Sequence, residues 1–451
     1  MLTRRGLIRI GAASVGSLAL RPLGLLPGLA QTGPDYRALV CIFLYGGNDS
    51  NNTVVPMDDA SYKLYLQNRG NLALSVANGD LTQPVASVNG APYSFHSGLS
   101  DLASLFGSKE LAVVANVGSL VQPLTRAQYQ ASQMPRPNNL FSHSDQQLQW
   151  QTSVAQGSSP TGWAGRIADY VSAQSLNSSM FPTFFSVSGN SLMGSGANTT
   201  PVSLNPGSSL ELTGSNINIP EALARTQALQ TLLTTDTGLS LVQAADHTLA
   251  NSISDAHALT GALAKSTALH TAFPTTGIGA QLQQVAQIIQ VRSYLGMRRQ
   301  IFFCSLGGFD THTDELNQHK TLYPQLGPAL AAFYNATQEM GVAQNVTAFT
   351  ESDFSRTFQP TSGNGSDHAW GSHHLVLGGA VQGGRIYGRF PSFQLGGADD
   401  TDTRGRWIPT TSVDQYGATL SSWFGIPQST LFSIFPNLSN FDSANIGFLA
   451  S

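Results

Sequence analysis

Ten histidines occur in this chain of 451 residues, and four of them, His312, His368, His373 and His374, fall in two short segments rich in acids and glycine. Asp310-Thr311-His312 has period-two spacing, so an extended backbone turns its carboxylate and imidazole to the same side. The segment 364–374 carries Asp367, His368, His373 and His374 among Gly365, Gly371 and small polar residues. That composition is a poor core and a good donor set for a divalent ion. Imidazole with carboxylate suits zinc first, with manganese or iron as alternatives, and calcium less well. The bland alternative is a polar loop whose histidines cap helices. His143, in Leu140-Phe141-Ser142-His143-Ser144-Asp145, is a fifth candidate.

Adjacent residues of an extended backbone face opposite ways, so one of His373 and His374 is expected as a ligand, His374 by preference, with the other orienting it. Asp353 follows the strand-like stretch 345–350, and Arg356 lies three residues on. Arg356 suits either a bidentate clamp on an anionic substrate or a pair with a neighbouring acid. Ser142 precedes a helix-like stretch, where exposed amides favour negative charge; it reads as a nucleophile or as a plain helix N-cap.

These residues need elements to position them. Residues 38–45 form an apolar run ending at Gly46-Gly47, and residues 300–306 form another ending at Gly307-Gly308. Such runs suit strands buried on both faces of a parallel sheet. Residues 111–117 and 345–350 read as further strands. Leu282, Val285, Ala286 and Ile289, then Leu326, Leu330, Phe333 and Tyr334, keep helical spacing before two of those strands. Alternating helix and strand predicts an α/β fold with a mostly parallel central sheet flanked by helices. Ligands of such sheets bind beyond the carboxyl ends of the strands, where Asp49 and Asp310 each follow a glycine turn. The stretch 186–275, polar at first and then Ala/Leu/Thr-rich, is expected to be an inserted helical and loop cap within one domain spanning 31–451.

The first thirty residues read as an address. Arg4-Arg5 precedes a weakly apolar run too short to span a bilayer, and Leu29-Ala30 closes it, as in a twin-arginine export signal. Its removal takes four arginines and no acid, leaving 18 basic against 26 acidic residues and a net charge of −8 instead of −4. The expected destination is periplasmic or secreted, with membrane contact only during export. No basic block tracks a phosphate backbone, so nucleic acid is excluded as a partner. Cys41 and Cys304 lie in apolar runs and read as buried thiols.

Tyr45-Gly46-Gly47-Asn48-Asp49-Ser50-Asn51-Asn52-Thr53-Val54-Val55-Pro56, Gly307-Gly308-Phe309-Asp310-Thr311-His312 and Ser366-Asp367-His368-Ala369-Trp370-Gly371 occur in an order that resembles the bacterial domain-of-unknown-function 1501 family. Leu140-Phe141-Ser142-His143, Gly162-Trp163-Ala164-Gly165-Arg166 and residues 409–416 fit the same pattern, so the likeness spans nearly the whole chain after residue 30. That family is remotely similar to the alkaline phosphatase and sulfatase superfamily. The resemblance implies an alkaline-phosphatase-like sheet holding one or two divalent ions. It implies that Asp49 is a metal ligand from the first strand and that Ser142 is the nucleophile, beside His143. Asp310 and His312 would supply one ion, Asp353 or Asp367 with His368 the other, and His374 the late histidine. The expected activity is hydrolysis of phosphate or sulfate esters, on a small anionic ester or a sulfated or phosphorylated glycan. The rival expectation is a non-catalytic exported binding or assembly protein that keeps the fold. Oligomeric state is not legible.

Overall fold

The first apolar run forms strand β1 (Arg37–Leu44), buried on both faces from Ala38 onward. Ala38, Val40, Ile42 and Leu44 enter one hydrophobic core, and Leu39, Cys41 and Phe43 enter another on the opposite face. This two-sided burial is what an unbroken apolar run specifies, since each face of the pleat needs its own apolar set. The structure is a computed structural model describing residues 35–208, 210, 212, 214, 219–235 and 238–450. The export signal expected over 1–30 lies outside the described residues.

The other strands are β2 (Val54–Pro56), β3 (Val85–Ala86), β4 (Pro92–Phe95), β5 (Leu111–Gly118), β6 (Phe184–Ser186), β7 (Val202–Ser203), β8 (Arg299–Leu306), β9 (Val346–Ser352), β10 (Ser372–Leu377), β11 (Ile386–Gly388) and β12 (Thr411–Ser412). Nine of them build one sheet in the order β11-β5-β10-β9-β1-β8-β6-β7, with β12 also pairing with β5. β1 pairs in parallel with both β8 and β9. β10 is antiparallel to both its neighbours, and every other pairing in this sheet is parallel. The fold is therefore α/β with a mostly parallel central sheet. β2, β4 and β3 make a small antiparallel sheet beside it.

The helices are α1 (Asp59–Arg69), α2 (Ser100–Gly107), α3 (Arg126–Ala131), α4 (His143–Thr152), α5 (Trp163–Ala173), α6 (Pro220–Leu233), α7 (Ser240–Leu263), α8 (Gly277–Gln290), α9 (Glu315–Glu339), α10 (Val413–Phe424) and α11 (Gln428–Ile434). Leu102 and Phe106 of α2, Leu282 and Val285 of α8, and Leu326 and Leu330 of α9 cover one sheet face. Trp150 of α4, Trp163 and Ile167 of α5, and Tyr416 and Leu420 of α10 cover the other. Cys41 and Cys304 are free and buried, in different cores. Within 186–275, β7 extends the sheet edge beside β6, whereas α6 buries only Ala222, and α7 only Leu259 and Ala262. No helix among the described residues is long and apolar enough to cross a membrane.

β1, β8 and β9 end at one rim of the sheet, and the reversed β10 begins there. Chain entry to this rim depends on glycine. Gly46 has φ +111°, and a Cβ on it would lie 2.4 Å from the backbone nitrogen of Asp310. Gly47, at φ +82°, would drive a Cβ into the Phe354 ring. Only glycine meets both the backbone angle and the close approach of the two strand exits.

Candidate metal centre

Three segments deliver side chains to this rim. Asp310 and His312 follow β8, His143 is the first residue of α4, and His368 precedes β10. The Asp310 Oδ1 atom lies 3.0 Å from His312 Nε2, 3.3 Å from His368 Nε2 and 3.5 Å from His143 Nε2. His368 Nε2 is in turn 3.1 Å from His143 Nε2 and 3.0 Å from His312 Nε2. The Asp310 and His312 side chains do meet, but over tight turns in which the Thr311 and His312 amides donate to the Phe309 and Asp310 carbonyls, not over the extended backbone that the spacing suggested.

The opposite nitrogen of each ring has its own partner. His143 Nδ1 is 2.7 Å from Asp353 Oδ2, His368 Nδ1 is 2.7 Å from the Phe141 carbonyl, and His312 Nδ1 is 3.3 Å from Asp367 Oδ1. A carbonyl or carboxylate oxygen accepts, so each Nδ1 is placed to carry a proton, which frees Nε2 to act as a metal-binding lone pair. Asp310 Oδ1 and His368 Nε2, 3.3 Å apart, each lie 3.0–3.5 Å from the Nε2 atoms of both His143 and His312. With the three Nε2 atoms unprotonated that contact is repulsive, and a cation among the atoms reverses its sign. The separations among His143, Asp310 and His368, 3.1–3.5 Å, match the edge of a tetrahedron, about 3.3 Å for bonds of about 2.0 Å to zinc, and His312 adjoins this triad through Asp310 and His368. His143, Asp310 and His368 have ligand atoms all within 4.8 Å of one another. The donor set fits a divalent ion of the zinc type, and the outer partners are those that fix ligand orientation in such centres.

Asp353 is wholly buried and accepts from His143, from Gln147 Nε2 at 2.7 Å and from the Gly46 amide at 3.2 Å. Its hydrogen bond, more than burial, moves His143, holding that imidazole above its ordinary pKa. Burial draws His368 below its ordinary value. Burial pushes Asp310 up, but the Arg356 hydrogen bond and charge outweigh it and hold the carboxyl low. Asp367 behaves alike, with Arg404 at 2.6 Å outweighing burial. Phe141 has φ +72°, a strained angle for an aromatic residue, and its carbonyl is what positions His368.

The remaining residues singled out from the sequence lie elsewhere. Arg356 is fully buried; it donates to Asp310 Oδ1 at 2.7 Å, the Gly46 carbonyl at 3.3 Å and both oxygens of Ser366. Its pairing with an acid, rather than a substrate clamp, is what the geometry contains. Ser142 is the N-cap of α4 but caps no amide; its Oγ donates to Asp145 Oδ2 at 2.6 Å.

His374 is not brought to the rim. It lies within β10, with its ring 4.7 Å from that of Trp150, and burial pushes its pKa down to about 3. His373 packs 4.2 Å from Phe390 and accepts the Asn116 amide, so the pair does face opposite ways, into two interiors. Both belong to a strand buried on either side, which leaves neither a route to the rim.

Asp49 is also apart from the histidines. Its side chain is completely buried against the Arg69 guanidinium, which also bonds Glu315 Oε1 at 2.9 Å. Arg69, Glu315, Gln147 and Arg404 carried no sequence signal. Each is a lone polar residue whose role exists only once distant segments meet.

Among solved structures the chain is similar to the PsFucS1 sulfatase from Pseudoalteromonas sp., at 9% identity and a TM-score of 0.37, covering all of this chain and 77% of that one. It is also similar to the zinc complex of the C-terminal periplasmic domain of EcEptC from Escherichia coli, at 11% identity and a TM-score of 0.30, over 77% and 74% of the two chains. The lipoteichoic acid synthase LtaP from Listeria monocytogenes gives 8% and 0.34, over 83% and 74%. Likeness this distant says nothing about activity. No curated protein sequence matches the chain. Residues 36–404 match the family described as "Protein of unknown function (DUF1501)", and the chain belongs to that family.

Proposed function

We propose that this protein is an exported, metal-dependent hydrolase of phosphate or sulfate esters, acting on a small anionic ester or on a sulfated or phosphorylated glycan. One observation carries the reading: the Nε2 atoms of three imidazoles gather around the Asp310 carboxylate, and a separate acceptor lies on the far side of each ring. His143, Asp310, His312 and His368 would hold the ion, while Asp353 and Asp367 orient two of them. A bound divalent ion would neutralise the oxygens of the transferred group and polarise it toward attack.

Ser142 sits one residue from His143 at the start of α4 and is the nucleophile in this reading. Its Oγ bonds to phosphorus or sulfur while its proton passes to Asp145 Oδ2, the bond from phosphorus or sulfur to the ester oxygen breaks, and the departing alkoxide takes that proton back from Asp145 to leave as the alcohol. Water then displaces Ser142 and completes hydrolysis. The test is elemental mass spectrometry of protein purified without chelator, with turnover measured on a panel of phosphate and sulfate esters after adding zinc or manganese. Ser142→Ala is expected to keep its metal and lose turnover, whereas Asp310→Ala loses both. Full turnover in Ser142→Ala would sink the nucleophile assignment.

A second reading rests on ligand number. If His312 joins His143, Asp310 and His368 on one ion, the four protein donors leave no open position, as in structural sites. Metal bound at full occupancy with no turnover on the panel would favour a non-catalytic binding protein.

A further inference from the structure

Beneath the rim lies a second cluster with the same types of ligand. Asp49, Glu315 and His319 are fully buried, and their ligand atoms lie within 4.8 Å of one another. Neither ring nitrogen of His319 has a hydrogen-bond partner, although the ring is sealed from solvent. A buried imidazole with both nitrogens idle beside two carboxylates is costly unless something cationic shares the space.

Arg69 fills that role. Its Nη2 donates to both Asp49 and Glu315, its Nη1 to the carbonyls of Thr357 and Phe358 at 2.8 Å each, and its Nε to Asn52 Oδ1 at 3.2 Å. All five guanidinium hydrogens are thus committed, which fixes the charge in place more firmly than a single ion pair would. The carboxylates are equally committed. Asp49 Oδ1 accepts from the Asn51 side chain at 2.8 Å, and Glu315 Oε2 accepts from Thr311 at 3.0 Å and from Ser366.

We infer that the Arg69 guanidinium is the resident cation of this buried cluster, and that Asp49, Glu315 and His319 become a divalent-metal site when it is removed. The wild-type chain then loads a single ion, at the rim, and Asp49 serves charge balance instead of coordination. The count of one rests on the rim reading above; the latent site does not.

Metal content and thermal unfolding, each measured with and without added zinc or manganese, test the inference. Wild type is expected to carry about one equivalent and Asp49→Asn the same, while Arg69→Ala carries about two. His319→Ala in the Arg69→Ala background returns the count to about one, and added metal raises the melting temperature of Arg69→Ala more than that of wild type. If the rim reading fails, wild type carries none and Arg69→Ala still gains an ion, so the two failures are distinct. Loss of an ion in Asp49→Asn overturns the inference. So does an Arg69→Ala protein that takes up no additional metal, or that stays unfolded with metal present.

Discussion

Asp353 acts on the rim from one layer below it. Its oxygens meet three partners, one of them the His143 ring that it orients, so Asp353→Asn leaves every ligand in place while loosening one. Metal affinity should fall by about 10- to 100-fold, read by competition with a coloured chelator, without the complete loss expected of Asp310→Ala. His374→Leu gives the opposite contrast: the melting temperature changes and the metal content stays, because that ring packs on Trp150 far from any ligand. The sequence made the Asp310–His312 pair and His368 legible, through spacing and local composition. It could not separate His374 from them, because a histidine in a glycine-rich loop and one entering a strand look alike until the strand is paired. Roles in the outer layer were hidden for a related reason. Asp353 and Asp367 are the same residue type as a ligand, and only the third dimension shows that each meets a ring nitrogen.

At the scale of elements, strands β1, β5, β8 and β9 were legible as apolar runs, since burial on both faces leaves no alternation to misread. The reversed β10 was not, because its six residues include two histidines and a serine and its direction depends on pairing alone. Helix α10 carries a testable charge. Burial lifts Asp414 to about 7, with its Oδ1 accepting the Asn437 amide. The folded state therefore binds this proton more tightly than the unfolded chain does. Its contribution to stability is complete below pH about 4 and is lost as pH rises toward about 7. Denaturant midpoints across that window should show Asp414→Asn gaining on wild type as pH increases. Helices α6 and α7 bury three side chains between them and expose Leu223, Leu232, Leu241 and Leu249. Their amides should exchange with deuterium well before those of α9, which buries residues along its whole length.

At the scale of the molecule, the rim joins β8, β9, the start of β10 and α4, so an ion held there ties the centre of the sheet to a helix on its flank. Zinc at a hundredfold excess over its dissociation constant should add about 2.7 kcal/mol to the stability of wild type. Chelator should lower the wild-type melting temperature and leave Asp310→Ala unmoved; equal responses would show that the ion does not bind at the rim. The proposed ligands also lie far apart along the chain, at residues 143, 310, 312 and 368. A nascent chain leaving the ribosome holds at most one of them until Asp310 has been made, and the last emerges only with His368. Metal capture at this site, if it occurs, is thereby a late event in biogenesis, following translation past His368 and closure of the sheet around β10.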